Sequence, residues 1–210
     1  MVALLCVCIH GRSQSNGYNA SAARQFDRLY GQVFPAMELE LPDSSAFNTS
    51  SMAGKTVYVD FWFTSCAPCL KEIPWSTKLQ QFFASDTNMV FLNICIDNVD
   101  RKDAWRRLIS TNKMQGIHVF YARNRPQQIN LVRLLAITNY PTYLLLHHNR
   151  VIGYNAPAPS HKGFVQWVIY QASKGIKLSD AYMAMSKRWP ESTAYLKANW
   201  PAIEAESTVP

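Results

Sequence analysis

The apolar positions of this chain fall into short dense runs divided by polar turns, and the runs are of two kinds. Residues 55–63 (KTVYVDFWF) and 90–96 (VFLNICI) are almost continuously β-branched and aromatic, which suits strands buried on both faces of a sheet. Residues 36–41 (AMELEL) alternate instead and predict a first strand, with Pro42-Asp43 as its turn. Helical stretches are expected at 67–84, where Pro74 removes one backbone hydrogen bond, at 100–113 (DRKDAWRRLISTNK) and at 127–136 (QQINLVRLLA). Residues 116–122 (GIHVFYA) predict another strand. Residues 142–147 and 150–154 predict a hairpin turning at His148-Asn149, where asparagine tolerates positive φ. Residues 24–30 predict a short helix, and Ser160 is placed to cap a last domain helix running to Ala172. Beyond Gly175 two helices are expected, 179–188 and 190–199, with Pro190 in the first turn of the second and Trp189 and Trp200 packing on the domain. Strands alternating with helices make this an α/β chain.

One junction in this pattern carries chemistry. Cys66 and Cys69 fall where the strand ending at Phe63 gives way to the helix that follows. A sulfur there meets unpaired backbone N–H groups and the positive end of the helix dipole, and both stabilise a thiolate. Cys66 should therefore ionise below the ~8.5 of an ordinary cysteine. A thiolate attacks a disulfide, and a second thiol one turn away resolves the mixed disulfide. The pair reads as a redox dithiol. Asp60, inside the buried strand, is the exception that needs a reason, because an unpaired carboxylate there costs several kcal/mol. Desolvation would raise its pKa and make it a proton acceptor for the second cysteine; the competing reading is a carboxylate that reaches solvent at a sheet edge.

With those residues in view, the chain resembles the thioredoxin fold family. Asp60, Phe61-Trp62, Pro68 and Pro74 stand where that family has an aspartate six residues before the first cysteine, the Phe-Trp that follows it, and two prolines. Tyr140-Pro141-Thr142 resembles its cis-proline segment. Within the family, Glu72-Ile73-Pro74 and an extra helix and strand at 100–122 are similar to the TlpA/ResA-type thiol-disulfide oxidoreductases of the bacterial cell envelope. The resemblance implies a central mixed β-sheet flanked by helices, with a mid-domain helix-strand insert and a helical C-terminal tail. It implies that Glu72 tunes the acidity of the dithiol, against the plainer reading of a solvated helix glutamate. It also implies that Pro141 and Tyr140, with Ala67, Pro68 and Trp62, form the substrate-docking surface. The chain departs from the pattern at Ser65, where thioredoxins usually have tryptophan, and at Asn93, in place of a buried lysine.

Composition and charge then narrow the picture. A chain of 210 residues, 48% apolar, can bury a sizeable core. Its net charge of +7 is spread out, and the densest cluster, Arg101-Lys102 with Arg106-Arg107, reads as one solvated helix face. There is no glycine-rich phosphate loop, and a nucleic-acid function is not expected. Cys95 reads as an inert core residue. His118, His147, His148 and His161 lack a ligand pattern, and neither a metal nor another cofactor is expected. Cys6 and Cys8 lie in a short apolar run (VALLCVCI) ahead of a polar segment, resembling the end of an export or lipoprotein signal.

The expected organisation is a signal remnant and linker at 1–32, a thioredoxin-like domain at 33–173, and a helical tail at 174–210. The expected function is reduction or isomerisation of protein disulfides in the cell envelope or periplasm. It would draw on an upstream electron donor and touch a membrane only through an N-terminal anchor. The alternative is a non-catalytic interaction module that binds through the tail.

Overall fold

The computed structural model describes residues 24–124 and 130–205. Seven strands form one mixed sheet: β1 (Glu38–Glu40), β2 (Ala46–Asn48), β3 (Thr56–Trp62), β4 (Met89–Asp97), β5 (Ile117–Ala122), β6 (Thr142–His147) and β7 (Arg150–Tyr154). Their spatial order is β2-β1-β5-β4-β3-β6-β7. The parallel strands β3, β4 and β5 occupy the middle, and β6, β7 and the β1–β2 hairpin run antiparallel at the two sides. Among the described residues, the α-helices that pack around it are α1 (Ala67–Phe82), α2 (Lys102–Thr111), α3 (Leu131–Leu134), α4 (Phe164–Ser173), α5 (Leu178–Ser186) and α6 (Pro190–Ala205).

Strand pleating sorts the central side chains onto two unlike faces. Val57, Val59 and Phe61 of β3 join Leu92, Ile94 and Ile96 of β4 and Leu144 and Leu146 of β6 in a wholly apolar layer, closed by Phe34, Leu131 and Leu135. The opposite face carries Tyr58, Phe91, Tyr143 and Leu145 against Leu79 of α1 and Trp167 of α4. Across this second face the register aligns Tyr143, Asp60, Asn93 and His118 in one row over four strands. This polar row crosses an otherwise apolar layer.

Several sequence expectations change at the edges. The strand expected at 36–41 shortens to three residues and pairs with β2, which the pattern did not reveal. Residues 24–26 are helical and the chain turns from residue 27, so the helix expected at 24–30 ends early. The helix expected at 127–136 is the single turn α3, capped by Asn130 and ended where Ala136 takes φ +49°; residues 127–129 lie outside the described residues. Arg101-Lys102 and Arg106 are not merely solvated. Glu40 accepts from Lys102 Nζ at 2.7 Å and from Arg106 Nη2 at 2.9 Å, which fastens α2 to β1. The His148-Asn149 turn forms as expected, with φ of +48° and +63° suited to a two-residue hairpin loop.

Ser160 does not cap α4. The helix starts after Gly163, at φ +74°, whose N–H donates to Gln166 Oε1 at 2.7 Å. A side chain at 163 would be strained there and would crowd Leu196. Beyond residue 174 the chain packs closely on the rest. Trp167 Nε1 donates to Ala181 O at 2.8 Å, Tyr170 and Tyr195 stack with ring centroids 4.5 Å apart, and Ile203 is fully buried. Trp189 and Trp200, expected to pack, are 48% and 44% exposed.

Candidate active site

β3 delivers the chain to the carboxyl ends of the parallel strands, where α/β sheets place their functional groups. Cys66 is the N-cap of α1, with extended backbone, and its Sγ accepts the Cys69 N–H at 3.2 Å. Proline at the start of α1 costs no hydrogen bond, since its missing N–H would have had no partner in the helix. Cys66 and Cys69 are joined as a disulfide with Cα atoms 5.2 Å apart, within the usual range for such a bond. Because only Cys66 Sγ receives the helix N-terminal N–H, the geometry singles out Cys66 as the sulfur whose anion would be stabilised.

Both cysteines are buried, at 3% and 5% exposure. Neither cysteine is open to solvent in the disulfide form. Trp62, Cys95, Trp105, Phe120 and Ala122 pack with the pair, and the partly buried Phe63, Leu70 and Tyr140 are among the side chains packed against the cluster. Ala67 and Pro68 are exposed at the first turn of α1. The Tyr140–Pro141 bond is cis, and the Tyr140 ring meets the edge of Phe63 at 5.2 Å. The structure thus brings Trp62, Tyr140 and the two cysteines into one cluster.

The two carboxylates have different surroundings. Asp60 Oδ1 is sealed from solvent with no protein partner, and burial first, then the Glu72 charge, pushes its carboxyl up to about 8. Its neighbour on β4 is Asn93, whose amide donates to Ile117 O at 3.3 Å, so no cation faces Asp60 from that strand. Glu72 is not simply solvated: it accepts from Ser160 N at 2.9 Å and Ser160 Oγ at 2.7 Å. Those bonds strap the loop between β7 and α4 to the helix that carries the dithiol. Lys162 over the Trp75 ring at 4.5 Å and Tyr58 Oη donating to Pro157 O at 2.6 Å hold the same loop.

Sequence reasoning missed the group that anchors the approach to Cys66. Asp97, at the end of β4, accepts from Thr64 N at 2.8 Å and Thr64 Oγ1 at 2.7 Å, while Arg101 Nε lies 3.3 Å from the same hydroxyl. A charged residue at the carboxyl end of a parallel strand, beside the strand that leads to the dithiol, was the available signal. Cys95 is fully buried, and burial chiefly, then Asp97, pushes its thiol up, so it stays protonated. Among the described residues no cluster of three or more His, Cys, Asp or Glu side chains is arranged to hold a metal ion.

A mixed sheet with this strand order, and a cysteine pair at the turn into the helix after β3, define a thioredoxin-like fold. The model of the Redoxin family matches residues 29–166, and the chain belongs to that family. It is 30% identical over 94 residues to the thiol-disulfide oxidoreductase ResA of Bacillus subtilis, covering 44% of this chain and 51% of ResA. It is 27% identical over 93 residues to the thioredoxin-like protein YneN of the same organism, covering 44% of this chain and 55% of YneN. The chain thus spans about half the length of these relatives. Among solved structures, the thioredoxin domain of a thiol-disulfide oxidoreductase from Bacteroides vulgatus matches with a TM-score of 0.52 and 22% identity, over 60% of this chain and 86% of that one. A thiol:disulfide interchange protein of the thioredoxin family from Chlorobium tepidum matches with a TM-score of 0.54 and 20% identity, over 68% and 96%. These likenesses concern the fold.

Proposed function

We propose that this protein is a thiol-disulfide oxidoreductase that reduces or isomerises protein disulfides through Cys66 and Cys69. The observation that carries the reading is Cys66 Sγ at the helix N-cap, accepting the Cys69 N–H and within bonding reach of Cys69 Sγ. In the reduced protein the Cys66 thiolate attacks one sulfur of a substrate disulfide. A Cys66–substrate bond forms as the substrate S–S bond breaks, and the departing substrate sulfur takes a proton. Cys69 then loses its proton and attacks Cys66 Sγ, forming the Cys66–Cys69 bridge and releasing the second substrate thiol. Two electrons pass from the dithiol to the substrate, and a dithiol donor returns them in a second exchange. Asp60, raised to about 8, is suited to accept the Cys69 proton from its ionised form, whose share grows as pH approaches 8.

Since both cysteines are buried in the disulfide form, a substrate chain must gain access to Cys66 from the side of the exposed Ala67 and Pro68 and of the cis Pro141. Glu72 shapes the site in two ways, through its charge on Asp60 and through its hold on Ser160. An extracytoplasmic setting fits this chemistry, because the oxidising surroundings there supply disulfides to act on. The apolar Cys6–Cys8 segment falls outside the described residues, and among the described residues no helix is long and apolar enough to cross a membrane.

The reading is tested with single-cysteine variants and a protein disulfide. Cys69→Ser should accumulate a mixed disulfide between Cys66 and substrate, whereas Cys66→Ser should accumulate none. Trapping through Cys69 alone, or through neither, would overturn the assignment.

A further inference from the structure

Four cations, each from a different segment, lie at the end of the fold that carries the dithiol. Arg101, in the turn between β4 and α2, is exposed and places Nε 3.3 Å from the hydroxyl of Thr64, two residues before Cys66. Arg123, exposed just after β5, donates its N–H to Asp97 O at 2.9 Å, and the Asp97 carboxylate holds the same Thr64. The Arg123 charge also reaches Tyr140, which packs against the cysteine cluster. Burial pushes the Tyr140 hydroxyl up, and Arg123 is the first influence opposing that rise. Lys71 is one turn beyond Ala67 on α1, so these two exposed side chains share a helix face. Lys162 is half-buried over the Trp75 ring, in the loop that Glu72 straps to α1.

None of these four forms an ion pair among the described residues, whereas elsewhere Lys102 and Arg106 pair with Glu40 and Lys177 pairs with Asp27. The carboxylates at the dithiol end are committed to uncharged donors or are largely neutral. Asp97 accepts from Thr64 N and Oγ1, and Glu72 accepts from Ser160 N and Oγ. Asp60, raised to about 8 by burial and then by Glu72, is mostly protonated at neutral pH. Among these acids and their neighbour Asp100, only Asp100 is exposed. The charge presented to solvent around Cys66 is therefore mainly positive, and the acids turn inward. Such a border speeds the approach of an oppositely charged partner, by an amount that salt reduces. Guanidinium groups add a geometric match to carboxylates.

We infer that the preferred substrate of the dithiol is a protein disulfide flanked by acidic residues, whose carboxylates meet Arg101, Arg123 and Lys71 as the substrate sulfur reaches Cys66. The inference names a substrate class and rests on the oxidoreductase reading. Its effect falls on the rate of encounter rather than on the exchange chemistry, so charge selectivity and reactivity can be measured apart.

The test mixes the reduced, full-length protein with two disulfide-bridged peptides of one sequence, carrying either glutamates or lysines beside the cysteines. Stopped-flow tryptophan fluorescence reads the second-order rate at which Cys66 and Cys69 are oxidised; two electrons pass to the peptide disulfide, which is released as two thiols. The informative quantity is the ratio of the glutamate-peptide rate to the lysine-peptide rate, compared between the native protein and Arg101→Gln/Arg123→Gln. Intrinsic differences between the peptides cancel in that comparison, as does any change in the reactivity of Cys66. The ratio should fall about fivefold in the double variant, and the gap between the two proteins should close in about 0.5 M salt. Arg123→Gln alone, which keeps the Arg101–Thr64 contact, should move the ratio in the same direction. A ratio that is equal in the two proteins, or a gap that salt does not reduce, overturns the inference and leaves the oxidoreductase reading standing. No oxidation by either peptide overturns both.

Discussion

Replacing Asp60 with asparagine should stabilise the oxidised protein, by an amount that grows with pH. The carboxyl is raised from 3.8 to about 8, first by burial and then by the Glu72 charge. Between those values the folded protein holds a proton that the unfolded chain has released, so stability falls as pH rises from about 4 to about 8. One group contributes a slope of about 1.4 kcal/mol per pH unit, which accumulates to roughly 3–5 kcal/mol near pH 7. Asparagine keeps the shape and has no proton to lose. Its amide brings a buried donor that costs about 1–3 kcal/mol if unpaired, but that cost is the same at every pH. The informative quantity is therefore the difference between the two unfolding free energies as a function of pH. It should be flat below about pH 4 and rise in favour of the variant up to about pH 8. His118 titrates partly within this window but is present in both proteins and cancels. Urea unfolding of the oxidised proteins, followed by tryptophan fluorescence, measures it without interference from the active thiols. Parallel profiles for the two proteins would refute the claim that Asp60 is held protonated by its surroundings.

Three further substitutions probe the neighbouring groups. Glu72→Gln should move the Asp60 midpoint downward, since a repelling charge is removed. It should also cost about 1–2 kcal/mol, because the two bonds from Ser160 lose their charge assistance; NMR titration and urea midpoints read the two effects. Burial lowers the His118 pKa to about 4, so the folded protein gains stability as pH rises from about 4 to 6.5 and loses it on acidification. His118→Gln should remove about 3 kcal/mol of that acid sensitivity, seen as a flatter unfolding profile over the same range. Asp97→Asn weakens the acceptor of both Thr64 donors, so it should cost about 1–3 kcal/mol and slow mixed-disulfide formation at Cys66 in a stopped-flow assay.

What the sequence revealed, and what it hid, follows from the range of the interactions. The strand at 56–62 is legible because its buried faces demand an unbroken apolar run, and Asp60 is conspicuous because it interrupts that run. The His148-Asn149 turn and the cap at Cys66 are equally local, since each depends on residues within one turn of chain. Glu72 and Ser160 are 88 positions apart, and Thr64 and Asp97 are 33 apart, so no window along the chain could pair them. Ser160 had the chemistry of a helix cap and was claimed by a distant carboxylate instead. The strand at 46–48 was missed because three residues carry no periodicity, and β2 exists through its pairing with β1. The burial of Cys66 was equally hidden. It arises from Trp62, Trp105 and Tyr140, which converge from three separate elements.

The central claim is that Cys66 and Cys69 exchange electrons with a protein disulfide, Cys66 attacking first. Its most direct test mixes the reduced protein with insulin and counts bonds by mass spectrometry after acid quenching. The account predicts one Cys66–Cys69 bridge for each insulin disulfide cleaved, Cys95 still a thiol, and no cleavage by Cys66→Ser. Insulin left intact, or cleavage that persists in Cys66→Ser, would contradict it.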